Sequence, residues 1–254
     1  TLSLPVEVRA KLTQLVAIID DLGRVVTAFS GGADSAFVAA VAHEVLGAER
    51  AHAVTAVSPS LAGDEEADCR QLAQEWNLRW TPVSTAEMER AAYRANDIDR
   101  CYHCKAELMD VVGPIADREG ATVILGVNVD DLADHRPGQR AALERGAVFP
   151  LVQAGFTKDD VRLVSHAMGL RTWDKPAAAC LASRVPYGTP VSVEILSRVD
   201  RAEAALHGLG FRQVRVRHYG ETARIEVIES ELENAISQRT LIIEAVKAAG
   251  YQYV

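Results

Sequence analysis

The chain of 254 residues has no apolar run approaching the ~20 residues a helix needs to cross a bilayer, so no stretch is a candidate helical membrane span. The N-terminal stretch does not read as a signal peptide either. The opening stretch TLSLPVEVRAKLTQLVAIIDDLG mixes acidic and basic residues into its apolar pattern and reads as an amphipathic helix. The first residue is Thr, and a natural start upstream of it is expected. Cysteine is scarce, at four residues, and without a secretion signal these do not read as a disulfide framework. A reducing cytoplasm is the expected compartment. With 27 Lys and Arg against 35 Asp and Glu, the formal net charge is −8, and no broad basic face argues for a grip on long nucleic acid. Only Arg212, Arg215, Arg217, His218 and Arg224 form a local basic patch. Internal repeats and low-complexity segments are also missing.

What is present is an ordinary globular composition, 48% apolar and 24% charged, at a length that suits one large domain or one plus a small one. The pattern predicts helices over 6–22, 34–47, 63–78, 104–120 (bent at Pro114) and 157–170, the last with Thr157 as N-cap. It predicts buried strands over 24–30 and 51–58, a short strand over 79–84 and another apolar strand over 121–128. Strands alternating with helices imply a parallel sheet with helices on both faces, and thus an α/β fold. Ligands of such sheets sit beyond the carboxyl ends of the strands, where Ser30, Ser58 and Asn128 fall. Residues 129–156 read as a long functional loop with one helical turn, and 175–190 as irregular. The order then changes to helix 192–209, paired strands 211–219 and 221–229 around Gly220, helix 231–249 and a last strand beginning at YQYV. The expected division is a first domain at 1–175 and a small α+β domain at 176–254.

The most informative stretch is Ser30-Gly31-Gly32-Ala33-Asp34-Ser35, between an apolar strand and an amphipathic helix. Two glycines let the backbone bend tightly and leave its N–H groups uncovered. The helix start adds unpaired donors and the positive end of its dipole, so the turn suits phosphate. Ser30 and Ser35 can add hydroxyl donors, and Asp34 can cap the helix or help hold Mg2+. No Gly-Lys-Ser/Thr is present, which excludes the common phosphate loop with its own lysine.

Cys101 and Cys104 form a CxxC, which alone fits a redox pair, half a zinc site or part of an iron–sulfur site. There is no second CxxC, and His103 reads as a solvated loop histidine. Cys180 lies in KPAAACLASRVPYG, an irregular stretch, and Arg184 four residues on is expected to favour its thiolate. Cys69 reads as a filler residue on the acidic helix 63–78. Arg215 and Arg217, two apart on a strand, share a face on which guanidinium forks suit a phosphate or carboxylate. His135 and His218 read as surface residues or as supports for others.

The Ser30–Ser35 string resembles the SGGxDS loop of the PP-loop ATP pyrophosphatases, which split ATP between the α and β phosphates. RCYHCK, GVNVDDLADHRPGQRAALERG with Pro150-Leu151, KPAAACLASRVPYGTPV and FRQVRVRHYGETARIEV, in that order, resemble the LarE family and span essentially the whole chain. That resemblance implies an ATP-dependent sulfur transferase. Its substrate is a pyridinium dicarboxylate mononucleotide, whose carboxylates become thiocarboxylates on the way to a nickel-pincer nucleotide cofactor.

The family has two chemical types. In one, the cysteine matching Cys180 gives up its own sulfur and is left as dehydroalanine. In the other, a CxxC joins it and three thiolates hold a [4Fe-4S] cluster whose open iron carries hydrosulfide; Cys101, Cys104 and Cys180 resemble this type. The resemblance further implies ATP contacts at Ser30, Gly31, Gly32, Asp34, Ser35, Ser58, Gly126 and Arg184, and Mg2+ with the nucleotide. It gives Cys180, Asp34, Arg215, Arg217 and Glu203 parts in the reaction. Ser183 joins Arg184 near a phosphate. Asp130, Asp131, Asp134 and Arg136 match the NxDDxxDxRPG pattern at the Asn128 strand end, where carboxylates suit magnesium or substrate. A sulfide donor is the implied partner, together with assembly into a homo-oligomer such as a hexamer. Members usually continue beyond the position of YQYV. The rivals are a PP-loop tRNA thiolase, an ATP-dependent amide-forming ligase and a non-catalytic nucleotide or metal binder.

Overall fold

The computed structural model describes residues 4–133, 137–176 and 179–254. In chain order the elements begin with α1 (Val6–Leu22), β1 (Val25–Ala28), α2 (Ala33–Leu46), β2 (Ala51–Val57), α3 (Gly63–Glu75), β3 (Arg79–Ser84), α4 (Ala91–Arg94), α5 (Arg100–Glu119) and β4 (Thr122–Leu125). They continue with α6 (Pro137–Leu143), α7 (Pro150–Gln153), α8 (Lys158–Ala167), α9 (Val193–Gly208), β5 (Val214–Tyr219), β6 (Thr222–Val227), α10 (Leu232–Ser237) and α11 (Arg239–Ala248). The chain forms two compact units, one of Thr1–Ser58, Glu65–Glu87 and Cys101–Ala178, the other of Pro59–Asp64, Met88–Arg100 and Ala179–Val254.

The first unit is built on a parallel sheet in the order β3-β2-β1-β4. Alternation along each strand sends neighbouring side chains to opposite faces. Val25 and Ile124 pack with Leu15, Ile19, Phe37 and Phe156 on one face. Val26, Val123 and Leu125 pack with Met109, Val112 and Phe149 on the other. Helices therefore cover both faces, as the apolar strands demand. The chain winds from β1 through β2 to β3 on one side and returns to β4 on the other. The order thus reverses beside β1, which opens a crevice at the carboxyl ends of β1 and β4.

Several expectations need correction. Helix α5 begins at Arg100, four residues before the expected start, so both cysteines of the CxxC lie on the helix, near its start. The 129–156 stretch carries more structure than one helical turn: a 3-10 turn at Asp130–Ala133, α6, α7 and a parallel bridge from Val148 to Ile124. These helices are too short to show a 3.6-residue period, and each starts on a proline, which suits a first helical position.

In the second unit, Leu206, Phe211, Val216, Val246 and Tyr251 centre the core beneath the β5–β6 hairpin. Residues expected to form one helix over 231–249 form two, broken at Gln238, where Asn234 accepts from the Gln238 N–H (3.0 Å), the Gln238 side-chain amide (2.8 Å) and the Ser237 hydroxyl (2.8 Å). YQYV does not start a strand; it makes a single bridge from Tyr253 to Thr222. His218 is not a surface residue. It alternates with exposed Arg215 and Tyr219 on β5, lies only 4% exposed, and its Nδ1 is 3.2 Å from the Tyr251 hydroxyl.

Each unit buries one histidine that resists protonation. Burial and the Arg79 charge hold His52 below the usual 6.5, against the pull of Glu119. Burial and Arg198 do the same for His218. Below 6.5 the unfolded chain takes up protons that these folded-state rings refuse. Their contribution to stability is therefore full above that pH and lost as pH falls through the lowered folded values. Urea midpoints should hold steady above neutrality and decline on acidification below 6.5, with a shallower decline in His52→Gln and His218→Gln. An identical slope in both variants would count against this account.

Candidate functional site

Ser30 to Ser35 connect the end of β1 to the first turn of α2. Gly31 takes φ +69°, a left-handed conformation natural to glycine. The buried Ser35 hydroxyl ties the loop to itself. It accepts the Ser30 N–H at 3.2 Å, lies 3.0 Å from the Ser30 hydroxyl and donates to the Gly32 carbonyl at 3.1 Å. Gly32 is the N-cap of α2 and supplies no side-chain cap. The first-turn N–H groups therefore look outward as donors, with the helix dipole behind them.

Gly126, just past β4, has a role in this turn that its sequence position did not announce. A Cβ there would lie 2.6 Å from the Ser35 nitrogen and 2.7 Å from the Asp34 carbonyl carbon. Only a glycine lets the end of β4 come this close to the helix start.

Asp34 is held from two later parts of the chain. The Lys158 ammonium lies 2.6 Å from one carboxylate oxygen, and the Asn128 amide donates to the other at 3.2 Å. Asn128 is buried, and its side-chain oxygen accepts from the N–H groups of Asp130 (2.9 Å) and Asp131 (3.3 Å). Lys158 opens α8, where Thr157 and Asp160 form the expected N-cap as a capping box, and its own N–H donates to Asp130 at 2.7 Å. Burial would raise the Asp160 pKa, but hydrogen bonds from Lys11 and Thr157 outweigh it and lower it. Asp134, His135 and Arg136 lie outside the described residues.

A second lysine flanks the loop. Lys175 bonds Glu65 and Asp68, each at 2.7 Å, and Asp68 is shared with Arg171 at 2.6 Å. A Cβ on Gly31 would be 2.9 Å from the Cys69 sulfur and 3.8 Å from the Lys175 ammonium. Cys69 is indeed a packing residue, and burial pushes its thiol up to about 11. Neither Lys158 nor Lys175 was singled out from the sequence, because nothing in the sequence around them pairs them with a loop more than a hundred positions away. The one available signal was Lys158 at the first position after a helix N-cap. Ser58, past the end of β2, bonds the buried carboxylate of Glu87, which also accepts from Thr85 at 2.8 Å.

Cys101 is exposed and Cys104 half-buried, one helical turn apart at the start of α5 in the first unit. His103 therefore lies on a helix rather than in a loop. Among the described residues, no three His, Cys, Asp or Glu side chains are grouped so as to hold a metal ion.

Cys180 belongs to the second unit, is exposed, and precedes a 3-10 turn at Leu181–Arg184. The carbonyls around it are tied down by side chains. Arg184 takes those of Ala179 and Cys180, Arg100 that of Ala182 (2.8 Å) and Arg217 that of Ser183 (2.9 Å). The Asn96 amide takes Pro186 and Thr189, both at 2.8 Å. Arg184 is buried and pairs Nε and Nη2 with the Glu203 carboxylate, both at 2.9 Å, while Glu203 also accepts the Val216 N–H at 2.8 Å. Arg184 thus faces Glu203 and the loop carbonyls. Arg217 pairs with Glu226 at 2.9 Å, and Arg215 stands exposed on the outward face of β5.

Comparison with known proteins joins these two regions in one family. The family model of NAD synthase matches residues 7–107. An uncharacterized protein of Synechocystis is 44% identical over 248 residues, 96% of this chain and 92% of the relative. The pyridinium-3,5-bisthiocarboxylic acid mononucleotide synthase of Lactiplantibacillus plantarum is 34% identical over 245 residues, 96% of this chain and 89% of the synthase. The chain belongs to the LarE family of PP-loop proteins. An uncharacterized protein of Methanocaldococcus jannaschii is 25% identical over 232 residues, 91% of this chain and 88% of the relative. Membership in the LarE family, with the NAD synthase match over the cradle, makes this an ATP-using enzyme on a PP-loop α/β fold.

Two substitutions probe the local geometry. Gly126→Ala should destabilise the first unit by about 1–3 kcal/mol, the usual range for overpacking, and should misplace the α2 start, weakening nucleotide binding. Glu203→Gln leaves the buried Arg184 half-paired and should cost about 3–5 kcal/mol in unfolding free energy. Denaturant titration reads both, and a change under ~0.5 kcal/mol in either would refute the corresponding contact as a structural support.

Proposed function

We propose that this protein is an ATP-dependent sulfur transferase that converts carboxylates of a pyridinium dicarboxylate mononucleotide to thiocarboxylates, in the making of a nickel-pincer nucleotide cofactor. The observation that carries this reading is the end-to-end relation to the synthase of Lactiplantibacillus plantarum, whose name describes that product. On this reading the protein works in the cytoplasm as a homo-oligomer, and its second unit serves the substrate and the sulfur.

The uncovered N–H groups of Ser30 to Ser35 hold the phosphates of ATP. Ser58 and Gly126, at neighbouring strand ends, flank the adenosine. Asp34 holds Mg2+ when the nucleotide is bound, and Lys158 and Asn128 keep its carboxylate oriented. A substrate carboxylate oxygen attacks the α phosphorus and pyrophosphate departs, leaving an acyl-adenylate. Sulfur then attacks the activated carbonyl and AMP leaves on its phosphate oxygen. The exposed Arg215, with Arg217, binds a substrate phosphate or carboxylate. Arg184 and Glu203 act as a buried brace that fixes the Cys180 loop, which limits the freedom of its sulfur.

Cys101, Cys104 and Cys180 offer three thiolates, a donor set that suits a [4Fe-4S] cluster with one iron lacking a protein ligand. Such a cluster would supply a docking site for exogenous sulfide and make sulfur delivery renewable. The exposure of Cys180 also fits the sacrificial route, in which the cysteine gives up its own sulfur.

Anaerobically purified protein should contain about four irons per chain. Cys180→Ala should still release pyrophosphate from ATP with the dicarboxylate substrate, yet make no thiocarboxylate. Iron-free protein that turns over once, with Cys180 losing the elements of hydrogen sulfide in the intact mass, would establish the sacrificial route instead. Full thiolation by Cys180→Ala, or robust modification of bulk tRNA, would overturn the proposal as a whole.

A further inference from the structure

We propose that Lys175 contacts the phosphates of ATP and stabilises the departing pyrophosphate, supplying from a distant turn the cation that the Ser30–Ser35 loop lacks. This rests on the reading of that loop as the ATP cradle. The loop contains no lysine or arginine, so the donors it can itself offer a strongly anionic ligand are backbone N–H groups and serine hydroxyls, and the nearby Lys158 ammonium is engaged by Asp34. The structure brings an ammonium to its edge. The turn after α8, held by hydrogen bonds from Trp173 N–H to the Leu170 carbonyl (3.1 Å) and from Lys175 N–H to the Thr172 carbonyl (3.1 Å), sets the Lys175 backbone. The side chain then runs inward until its nitrogen is 3.8 Å from the place a Gly31 Cβ would take. Glycine at 31 leaves no side chain between that ammonium and the loop.

The lysine is positioned and charged rather than mobile in solvent. Its side chain is 19% exposed. Burial acts to lower its pKa, but Asp68 and Glu65 outweigh burial and raise it, so the cation persists at any working pH. An ammonium has three donors. Two are taken by Glu65 and Asp68 at 2.7 Å, and among the described residues none accepts the third. Asp68 is divided between Lys175 and Arg171, which loosens its hold on either. The arrangement fits a cation kept ready beside the phosphates by carboxylates that can share it with them. A purely structural ion pair would have no need to sit at Gly31. Charge beside a leaving pyrophosphate is the kind of stabilisation that grows along the reaction path.

The test compares AMP, ATP and pyrophosphate, each with Mg2+, by calorimetry on wild-type protein, Lys175→Gln and Lys175→Arg, with adenylation measured by pyrophosphate release. Loss of Lys175 should weaken ATP and pyrophosphate by ~10-fold or more, the scale of one charged hydrogen bond, while AMP affinity stays within about two-fold. The rate of pyrophosphate release should fall with it, and Lys175→Arg should restore part of both. Equal weakening of AMP and ATP would make Lys175 structural and overturn the proposal, as would unchanged pyrophosphate binding. Wild-type protein that binds no ATP would defeat the cradle reading itself, and with it this inference. If Lys175→Gln does not fold, Glu65→Gln provides the second arm. It keeps the ammonium, removes one competitor, and should tighten pyrophosphate several-fold; unchanged or weaker binding overturns the proposal.

Discussion

The first unit depends on one close approach, that of the end of β4 to the start of α2. Parallel pairing of β1 with β4 fixes the two strand ends side by side. Gly126 then passes so near the Asp34–Ser35 peptide that no side chain fits between them. That contact sets where α2 begins and hence where its unpaired N–H groups point. It also puts Asn128, two residues on, within reach of Asp34. A backbone contact of this kind has no soft side chain to absorb an error, so the N–H groups of the first turn of α2 inherit the rigidity of the sheet.

The second unit solves a different problem. The segment around Cys180 has little regular structure and is nevertheless held by many bonds. Its carbonyl groups meet a few short-range backbone N–H donors, such as Ser183 for Cys180 and Val185 for Ala182, and side chains donate to them as well. Three arginines and Asn96 bond the run from Ala179 to Thr189, and Glu203 neutralises the buried Arg184. Buried polar groups of this sort are favourable only when paired, which makes the network all-or-none.

How much of this was legible in the sequence follows from the range of the interactions. Strands and long helices of the first unit are encoded by apolar period, and the phosphate turn by adjacent glycines and hydroxyls, so both were readable. Thr157 as N-cap was local too. The start of α5 was missed because the polar run Asp97-Ile98-Asp99-Arg100 carries no apolar period, although Asp99, directly before Arg100, is a residue type that caps helices. The broken C-terminal helix was missed because Gln238 and Asn234 are unremarkable within a helical pattern, and only their side-chain bonds reveal the break. Whether His218 lay at the surface or supported other residues stayed open, because a basic cluster in one dimension alternates between two faces of a strand. Lys158 and Lys175 reach the cradle through tertiary folding alone, and no spacing rule anticipates that. The cofactor-binding and catalytic roles themselves came from motif resemblance rather than from pattern.

Burial of Cys69 behind Gly31 separates the sulfurs of this chain by chemical character. Oxidants and alkylating agents react with thiolates, and a thiol whose pKa is about 11 in a sealed site presents almost none. Cys101 and Cys180 are exposed to such agents. Such agents would therefore reach the exposed sulfurs first and leave untouched the thiol that packs behind Gly31, so chemical damage to the sulfurs would spare the conformation of the glycine turn.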